Sequence, residues 1–364
     1  MSKIRRFGIL TAGGDCPGLN AVIRAVAKTA ISDHGMQVIG IEDGYAGLIE
    51  GRYHELNWRS VSGILAEGGT ILGTSNRDNP FRYAVKNARG EMEYHDVFDK
   101  VRENFEKAKL EALVAIGGDG TMAITQQMIE RGIKAVGIPK TIDNDLAATD
   151  VTFGFDSAVV TATEALDKLQ STAMSHHRVM IVETMGRYAG WIALYSGVAG
   201  GGDIILLPEI PYDINQVCRR IIERNQKGRR FSIVVVSEGA KPKGGEMVVR
   251  KIIKESTDPV RLGGIGQKLA DDIEEQTGID CRVTVLGHLQ RGGSPTAFDR
   301  ILGTRFGVKA VELLARGEFG QMAALKGLKV EAVSIKEAVG QLRLVQPGSE
   351  VIRAAKSIGT VFGD

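Results

Sequence analysis

Short apolar runs recur along the chain, and each of them ends abruptly at a glycine, a charged residue or a polar pair. The runs are rich in Ile and Val and about four residues long, which is typical of central parallel strands buried on both faces. They cover residues 7–10, 113–116, 135–138, 179–182, 204–207, 233–236 and 283–286.

Between these runs lie stretches in which apolar residues recur at helical spacing. They cover residues 18–32, 99–110, 121–132, 157–173, 214–228, 264–278 and 297–316. Regular alternation of strand and helix predicts an α/β protein with parallel sheets. Because such sheets bind ligands beyond the carboxyl ends of their strands, the glycine-rich and charged clusters that follow the runs are the candidate functional segments.

The chain has 364 residues, a length that favours two domains. We expect the first domain to comprise residues 1–155 and roughly 290–340, and the second to comprise residues 156–289 and the C-terminal segment. The polar segment 241–264 has the composition of a surface insertion.

Composition and charge exclude several classes of protein. Hydrophobic residues make up 43% and charged residues 25% of the sequence, which is typical of a globular chain and not of a disordered one. Lys and Arg number 46 against 44 Asp and Glu, which gives a formal net charge of +2. Without a block of like charges, we expect neither nucleic acid nor a membrane as a partner. A bound anion must therefore be held by local geometry.

The amino-terminal apolar stretch covers only residues 7–12, which is shorter than the core of a secretory signal, and no apolar run approaches the length of a membrane span. Cys16, Cys218 and Cys281 are far apart and odd in number. We expect free thiols in a reducing compartment, without a disulfide framework or a zinc site. These features predict a cytoplasmic protein.

Two glycine-rich clusters follow predicted strands. In residues 12–25 (AGGDCPGLNAVIRA) a tight turn leads into a helix whose backbone N–H groups could hold phosphate, although a plain turn has the same pattern. The spacing does not match GxGxxG, and the absence of a Gly-Lys pair excludes a Walker A loop. In residues 114–123 (VAIGGDGTMA) the glycines let a phosphate chain approach the backbone. There Asp119 offers Mg²⁺ a hard oxygen donor and Thr121 can cap the next helix, unless Asp119 only forms an Asx turn.

Acidic and basic residues follow the remaining strands. In residues 137–145 (GIPKTIDND) Asp143 and Asp145 suggest a general base and an orienting group, or else a polar turn. Arg178 and Arg187 bracket the strand at 179–182, where arginine forks suit phosphate but are often merely solvated.

A further anion-binding set and a possible sugar ligand lie toward the C-terminus. Arg282, His288 and Arg291 surround a glycine-rich turn, which gives a second set of anion-binding groups. Glu238 could accept hydrogen bonds from vicinal sugar hydroxyls, or it is simply a surface acid.

Taken together and in this order, the clusters resemble the phosphofructokinase family of glycolytic 6-phosphofructokinases. The resemblance runs from TAGGDCPGLNAVIRA through GGDGT, PKTIDND, MGRYAGW and GHLQRGGSP to FDRILGTRFG. It implies two three-layer αβα domains with mostly parallel sheets and an active site in the cleft between them. It also implies a homotetramer or homodimer that transfers a phosphoryl group to the 1-hydroxyl of fructose 6-phosphate.

The resemblance assigns roles to particular residues. Asp143 would activate the sugar hydroxyl, with Thr141 and Asp145 beside it, and Arg187 would face the migrating charge. The donor would be held by Gly14, Arg77, Gly118, Asp119, Gly120 and Thr121, with Asp119 on Mg²⁺. The sugar phosphate would be held by Met185, Gly186, Arg187, Glu238, His288 and Arg291, joined by Arg178 and Arg282 from a neighbouring subunit.

The phosphoryl donor depends on two positions. Gly120 fits ATP, because a side chain there would obstruct the α-phosphate and the nucleoside, whereas Lys140 resembles the pyrophosphate-dependent enzymes. We weight the steric argument more heavily and predict ATP, with pyrophosphate as the alternative. NAD kinases and lipid kinases share GGDGT but are not expected to carry the later motifs. A catalytically silent sugar-phosphate sensor remains the alternative outside enzymes.

Overall fold

The structure is a computed structural model that describes residues 4–87, 89–252 and 260–364. Strands and helices alternate along most of this part of the chain. The strands are β1 (Arg6–Thr11), β2 (Gln37–Ile41), β3 (Tyr53–Leu56), β4 (Tyr83–Lys86), β5 (Met92–His95), β6 (Ala112–Gly117), β7 (Ala135–Pro139), β8 (Val179–Thr184), β9 (Ile204–Leu206), β10 (Ser232–Ser237), β11 (Val249–Ile252), β12 (Val260–Leu262), β13 (Cys281–Val285), β14 (Gln321–Lys326) and β15 (Lys329–Ser334).

The helices connect these strands and cover both faces of the sheets. They are α1 (Leu19–His34), α2 (Tyr45–Glu50), α3 (Phe98–Lys107), α4 (Asp119–Glu130), α5 (Phe155–His176), α6 (Trp191–Ala199), α7 (Ile214–Gln226), α8 (Ile265–Thr277), α9 (Ala297–Arg316), α10 (Ile335–Ala338) and α11 (Glu350–Ser357). Within the described ranges, none of the helices has the length and apolarity needed to cross a membrane.

The larger sheet has the strand order β15-β14-β7-β6-β1-β2-β3. Its inner strands pair in parallel, while β3 and β15 add antiparallel edges. Phe7 and Ile9 of β1 pack with residues of α1 and α9, whereas Leu10 packs with residues of α3 and α4 on the opposite face. Burial on both faces explains why β1, β6 and β7 are continuous apolar runs.

The smaller sheet has the order β13-β8-β10-β9 and is parallel throughout. Val182 and Val235 pack with residues of α5 and α6, while Ile181 and Val234 pack with residues of α7 and α8. Each sheet is thus the middle layer of an αβα arrangement. The expected fold class is confirmed, and every strand and helix expected from the apolar pattern is present.

The polar segment 241–264 contains the antiparallel ribbon β11–β12, and its residues 253–259 lie outside the described part of the chain. The larger sheet draws its strands from residues 6–139 and 321–334, and the smaller one from residues 179–285. The exact division of the chain into domains stays a prediction.

Candidate active site

A cleft of about 1330 Å³ opens where the loops after the parallel strands meet. It brings together most of the residues singled out in the sequence, from both sheets. The predicted site residues that line it are Gly14, Arg77, Gly118, Gly120, Thr121, Lys140, Thr141, Asp143, Met185, Arg187, Glu238, His288 and Arg291. Asp119, Asp145 and Gly186 are sequence neighbours of lining residues and do not themselves line the cleft.

Two cationic side chains converge on the turn after β1. The Lys140 ammonium group donates a hydrogen bond to the carbonyl oxygen of Gly14, and Arg291 Nη1 donates to the carbonyl oxygen of Asp15 at 3.0 Å. A Cβ atom on Gly14 would lie 2.6 Å from Arg291 Nη1, so a side chain at this position would displace the guanidinium group of Arg291. Burial lowers the pKa of Lys140 to about 8. This corner of the cleft is suited to an anion.

The turn after β6 leads directly into α4, which begins at Asp119 with Gly118 as its N-cap. The expectation that Thr121 caps this helix is wrong, because the helix begins two residues earlier and Thr121 lies within its first turn. Asp119 Oδ1 accepts a hydrogen bond from the Gly340 backbone N–H at 3.2 Å. A Cβ atom on Gly120 would meet no atom within 4 Å. Position 120 therefore adjoins open space in the cleft.

The loop after β7 holds its two carboxylates through Thr141. Thr141 Oγ1 accepts from the Asp143 backbone N–H at 3.1 Å and donates to Asp145 Oδ1 at 3.2 Å. Asn144 between them has a left-handed backbone with φ of 51°, and its side-chain oxygen accepts from the Thr152 N–H at 3.1 Å. These local hydrogen bonds aim the Asp143 side chain into the cleft.

The Oδ1 atom of Asp143 is buried and has no hydrogen-bond partner among the described residues. Burial raises the pKa of Asp143, an effect opposed by the positive charges of Arg291, Arg187 and Lys140. Burial, together with the charge of Asp143, raises the pKa of Asp145 to about 7. A carboxylate with a raised pKa is a stronger base near neutral pH than an exposed one.

The loops after β8 and β10 fit closely against each other. The carbonyl oxygen of Gly186 accepts from Ser237 Oγ at 2.5 Å and from the Gly239 N–H at 3.2 Å. A Cβ atom on Gly239 would lie 1.8 Å from the Arg187 carbonyl oxygen. Glu238, between these contacts, lines the cleft, and burial, with a contribution from Asp143, raises the pKa of Glu238 to about 7.

Arg178 and Arg282 lie outside the cleft of their own chain. Arg178 immediately precedes β8 and Arg187 follows it, so the strand separates the two arginines by about 20 Å. Arg282 is paired in register with Met180 near the same amino end of β8. Both guanidinium groups form ion pairs with Asp280.

Several lining residues were missed by the sequence reasoning. Tyr45, Ala123, Ile124 and Gln127 line the cleft beside Gly120. Residues 120, 123, 124 and 127 recur at i, i+3, i+4 and i+7, so the helical period of α4 is the signal that would have found three of them. The Tyr45 hydroxyl donates to the Thr121 carbonyl oxygen at 2.9 Å. Tyr45 reaches the cleft through this contact with a residue 76 positions away in the chain, which no local sequence pattern indicates.

Within the described ranges, no group of three or more His, Cys, Asp or Glu side chains could hold a metal ion on its own. Asp119 is half-exposed, and its negative charge contributes to the raised pKa of Asp145. Mg²⁺ prefers one or two carboxylates together with phosphate oxygens and water. A single carboxylate such as Asp119 therefore suits a cation that is also bound to the oxygens of a phosphate chain.

Comparisons with known proteins give consistent results. The family model described as Phosphofructokinase matches residues 6–314. The chain is 54% identical over 365 residues to ATP-dependent 6-phosphofructokinase 2 of Clostridium perfringens, covering all of both chains. It is 49% identical to the pyrophosphate–fructose 6-phosphate 1-phosphotransferase of Amycolatopsis methanolica, over 94% of this chain and 96% of that one.

Among solved structures, phosphofructokinase of Pichia pastoris in the T-state is similar over 99% of this chain, with a TM-score of 0.77 and 30% identity. This chain spans 37% of the length of that yeast chain.

Proposed function

This chain belongs to the phosphofructokinase family, and on that basis we propose that it transfers a phosphoryl group from ATP to the 1-hydroxyl of fructose 6-phosphate. The products are ADP and fructose 1,6-bisphosphate. One observation carries the proposal: Asp143, a carboxylate whose pKa is raised by burial, lines a cleft that also contains a glycine-rich helix N-terminus.

In the proposed reaction Asp143 accepts the proton of the sugar hydroxyl as that oxygen attacks the terminal phosphorus of the donor. The Asp143 side chain lines the cleft, and its Oδ1 atom has no hydrogen-bond partner among the described residues. Thr141 fixes the backbone of Asp143, and Arg187 offsets negative charge that moves between donor and acceptor.

The donor phosphates are proposed to lie against Gly14, Gly118, Gly120 and the N-terminus of α4, with Arg77 at the rim of the cleft. The open N–H groups and the positive end of the helix dipole favour an anion there. Asp119 would hold Mg²⁺ brought in with the nucleotide. When bound, this cation neutralises charge on the donor phosphates.

The sugar phosphate is proposed to lie on the other side of the cleft. Met185, Gly186 and Glu238 lie in closely fitted loops suited to the sugar hydroxyls, and His288 and Arg291 offer positive groups to the 6-phosphate. Arg178 and Arg282 are proposed to complete this phosphate site in a neighbouring subunit, because they do not reach the cleft of their own chain. The working form would then be a homo-oligomer, and we propose a tetramer.

Pyrophosphate is the second candidate donor. It is favoured by Lys140, which lies in the cleft beside Gly14, and a relative named as pyrophosphate-dependent is nearly as similar as one named as ATP-dependent. ATP is favoured by the open space at Gly120, which leaves room for an α-phosphate and a nucleoside. We place the enzyme in the cytoplasm, consistent with its three buried free cysteines.

A coupled assay on the purified protein with fructose 6-phosphate tests both parts of the proposal. ATP and pyrophosphate are compared at equal Mg²⁺, and fructose 1,6-bisphosphate is measured as the product. The proposal predicts a kcat/KM for ATP well above that for pyrophosphate. A higher kcat/KM for pyrophosphate than for ATP would identify pyrophosphate as the donor. The absence of product with either donor would favour a sugar-phosphate sensor.

A further inference from the structure

The N-termini of α5 and α9 meet at a buried pair of polar side chains. Asp299 Oδ2 accepts hydrogen bonds from the Ser157 backbone N–H at 2.8 Å and from Ser157 Oγ at 2.6 Å. The two side chains belong to helices whose positions in the chain are 142 residues apart. Asp299 is fully buried and Ser157 is 4% exposed.

The contact is reciprocal. Ser157 Oγ accepts from the Thr296 backbone N–H at 3.0 Å, and Thr296 Oγ1 donates to Asp156 Oδ2 at 2.6 Å. Each helix thus receives a carboxylate from the other at the end where its backbone N–H groups are unpaired. The positive ends of both helix dipoles stabilise the negative charge that lies between them.

The contact between the N-termini of α5 and α9 lies between the loop that carries Asp143 and the turn that carries His288 and Arg291. Helix α5 begins directly after the segment that follows Asp143, and this segment is pinned by a bridge between Phe153 and Lys140. Helix α9 begins at Ala297, and the five residues 292–296 connect it to the turn that carries His288 and Arg291. A shift of one helix against the other would therefore move the anion-binding turn relative to Asp143.

We infer that Asp299 is a positioning residue for the sugar-phosphate site: its hydrogen bonds to Ser157 hold the turn bearing His288 and Arg291 against the loop bearing Asp143. The inference rests on the proposed function, which supplies the ligand of that turn. Asp299 does not line the cleft, so it acts only through the residues that it places.

The expected effect is specific to one substrate. Asp299→Ala removes the acceptor of both Ser157 bonds and should raise the KM for fructose 6-phosphate about 10- to 100-fold, since small misplacements of binding groups have effects of this size. The KM for ATP should stay within about twofold, because the hydrogen bonds that Asp299 Oδ2 accepts come from Ser157 at the start of α5 and not from the donor turn or α4. Asp299→Asn keeps one acceptor oxygen and should recover part of the loss.

Thr304→Ala is the matched control on the same helix. Within the part of the chain that the structure describes, Thr304 Oγ1 donates to the Arg300 carbonyl oxygen of α9 itself, at 2.7 Å, so its removal should leave both KM values unchanged. Thermal unfolding of every variant, measured on the full-length oligomer, separates a general loss of stability from a change in substrate affinity.

The experiment combines steady-state kinetics with calorimetric titration of fructose 6-phosphate into the protein without nucleotide. If the unaltered protein neither binds nor phosphorylates the sugar phosphate, the proposed function is wrong, whatever the role of Asp299. If it does both, a selective loss of sugar-phosphate affinity in Asp299→Ala, with partial recovery in Asp299→Asn, supports the inference.

Equal changes for both substrates, or a lowered melting temperature with unchanged KM values, would overturn it. Should Asp299→Ala fail to fold, Ser157→Ala is the second variant, because it keeps the backbone bond to Asp299 at 2.8 Å and removes the two bonds of the hydroxyl, to Asp299 and from the Thr296 N–H. The same selectivity is expected there with a smaller amplitude, and unaltered affinity for fructose 6-phosphate in Ser157→Ala would reject the inference.

Discussion

Arg291 donates a hydrogen bond through Nη1 to the carbonyl oxygen of Asp15 at 3.0 Å, and so joins two segments that lie 276 residues apart. Asp15 belongs to the glycine-rich turn on the proposed donor side, and Arg291 belongs to the turn on the proposed sugar-phosphate side. The positive charge of Arg291 also acts on the pKa of Asp143. Arg291 therefore belongs to the sugar-phosphate turn, bonds to the donor turn and acts electrostatically on the proposed base, which places the proposed transfer where the three meet.

Filling the space beside Gly120 should discriminate between the two donors. Gly120→Asp places a charged side chain in the open part of the cleft. The kcat/KM for ATP should fall by about two orders of magnitude, because the nucleotide would be displaced or repelled. Pyrophosphate has no nucleoside to displace and should be affected much less.

Gly348→Asp is the control for this experiment, since a Cβ atom at Gly348 also meets no atom within 4 Å but lies outside the cleft. Parallel assays of both variants with both donors give the result. An equal loss of ATP and pyrophosphate activity in Gly120→Asp would contradict the assignment of this space to the nucleotide.

Stability should depend on pH through Glu238. Burial raises the pKa of Glu238 to about 7, above the value of about 4.3 for an exposed glutamate. The folded protein therefore keeps a proton that the unfolded chain has released, and the stability from this group is lost as the pH rises toward 7. Glu238→Gln should gain a few degrees in melting temperature over the unaltered protein at pH 8 and about a third as much at pH 5.

Glu275→Gln, at an exposed position on α8, controls for the general effect of removing a carboxyl group. Differential scanning calorimetry of the three proteins across this range measures the effect. A gain in Glu238→Gln that is as large at pH 5 as at pH 8 would show that the pKa of Glu238 is not raised by its surroundings.

Shared active sites predict recovery of activity in mixed oligomers. Arg178→Ala lacks the arginine proposed to act in a neighbour, and Asp143→Asn lacks the proposed base. Each variant alone should be nearly inactive, whereas random mixing in a symmetric oligomer should restore about a quarter of the sites. Refolding or coexpressing the two variants together and measuring turnover gives the answer. Mixtures no more active than their parents would remove the basis for a site shared between subunits.

The central strands could be predicted because they lie between helices on both faces. Strands β6 and β10 are buried along their whole length, so each contains an uninterrupted apolar run. The edge strand β15 (KVEAVS) has no buried residue and has charged residues at two positions, so its pattern does not distinguish it from a surface loop. The same holds for β3, which has only one buried residue.

The site was predictable to the extent that its residues follow strands. Asp143 lies in the loop that follows β7, and Glu238 comes directly after β10. The parallel arrangement brings the ends of such strands toward one edge of a sheet. Tyr45 and the pairing of Asp299 with Ser157 depend on contacts between distant segments. No local spacing encodes such contacts, so they appear only in the folded chain.

The measurement that tests the account most directly is the turnover of Asp143→Asn with saturating ATP and fructose 6-phosphate. Asp150→Asn provides the same chemical change outside the cleft, where its carboxylate accepts from the Gly327 N–H at 2.7 Å. If Asp143 takes the proton of the sugar hydroxyl, kcat should fall by about 10²- to 10⁴-fold while fructose 6-phosphate still binds. A kcat in Asp143→Asn equal to that of Asp150→Asn would contradict the account.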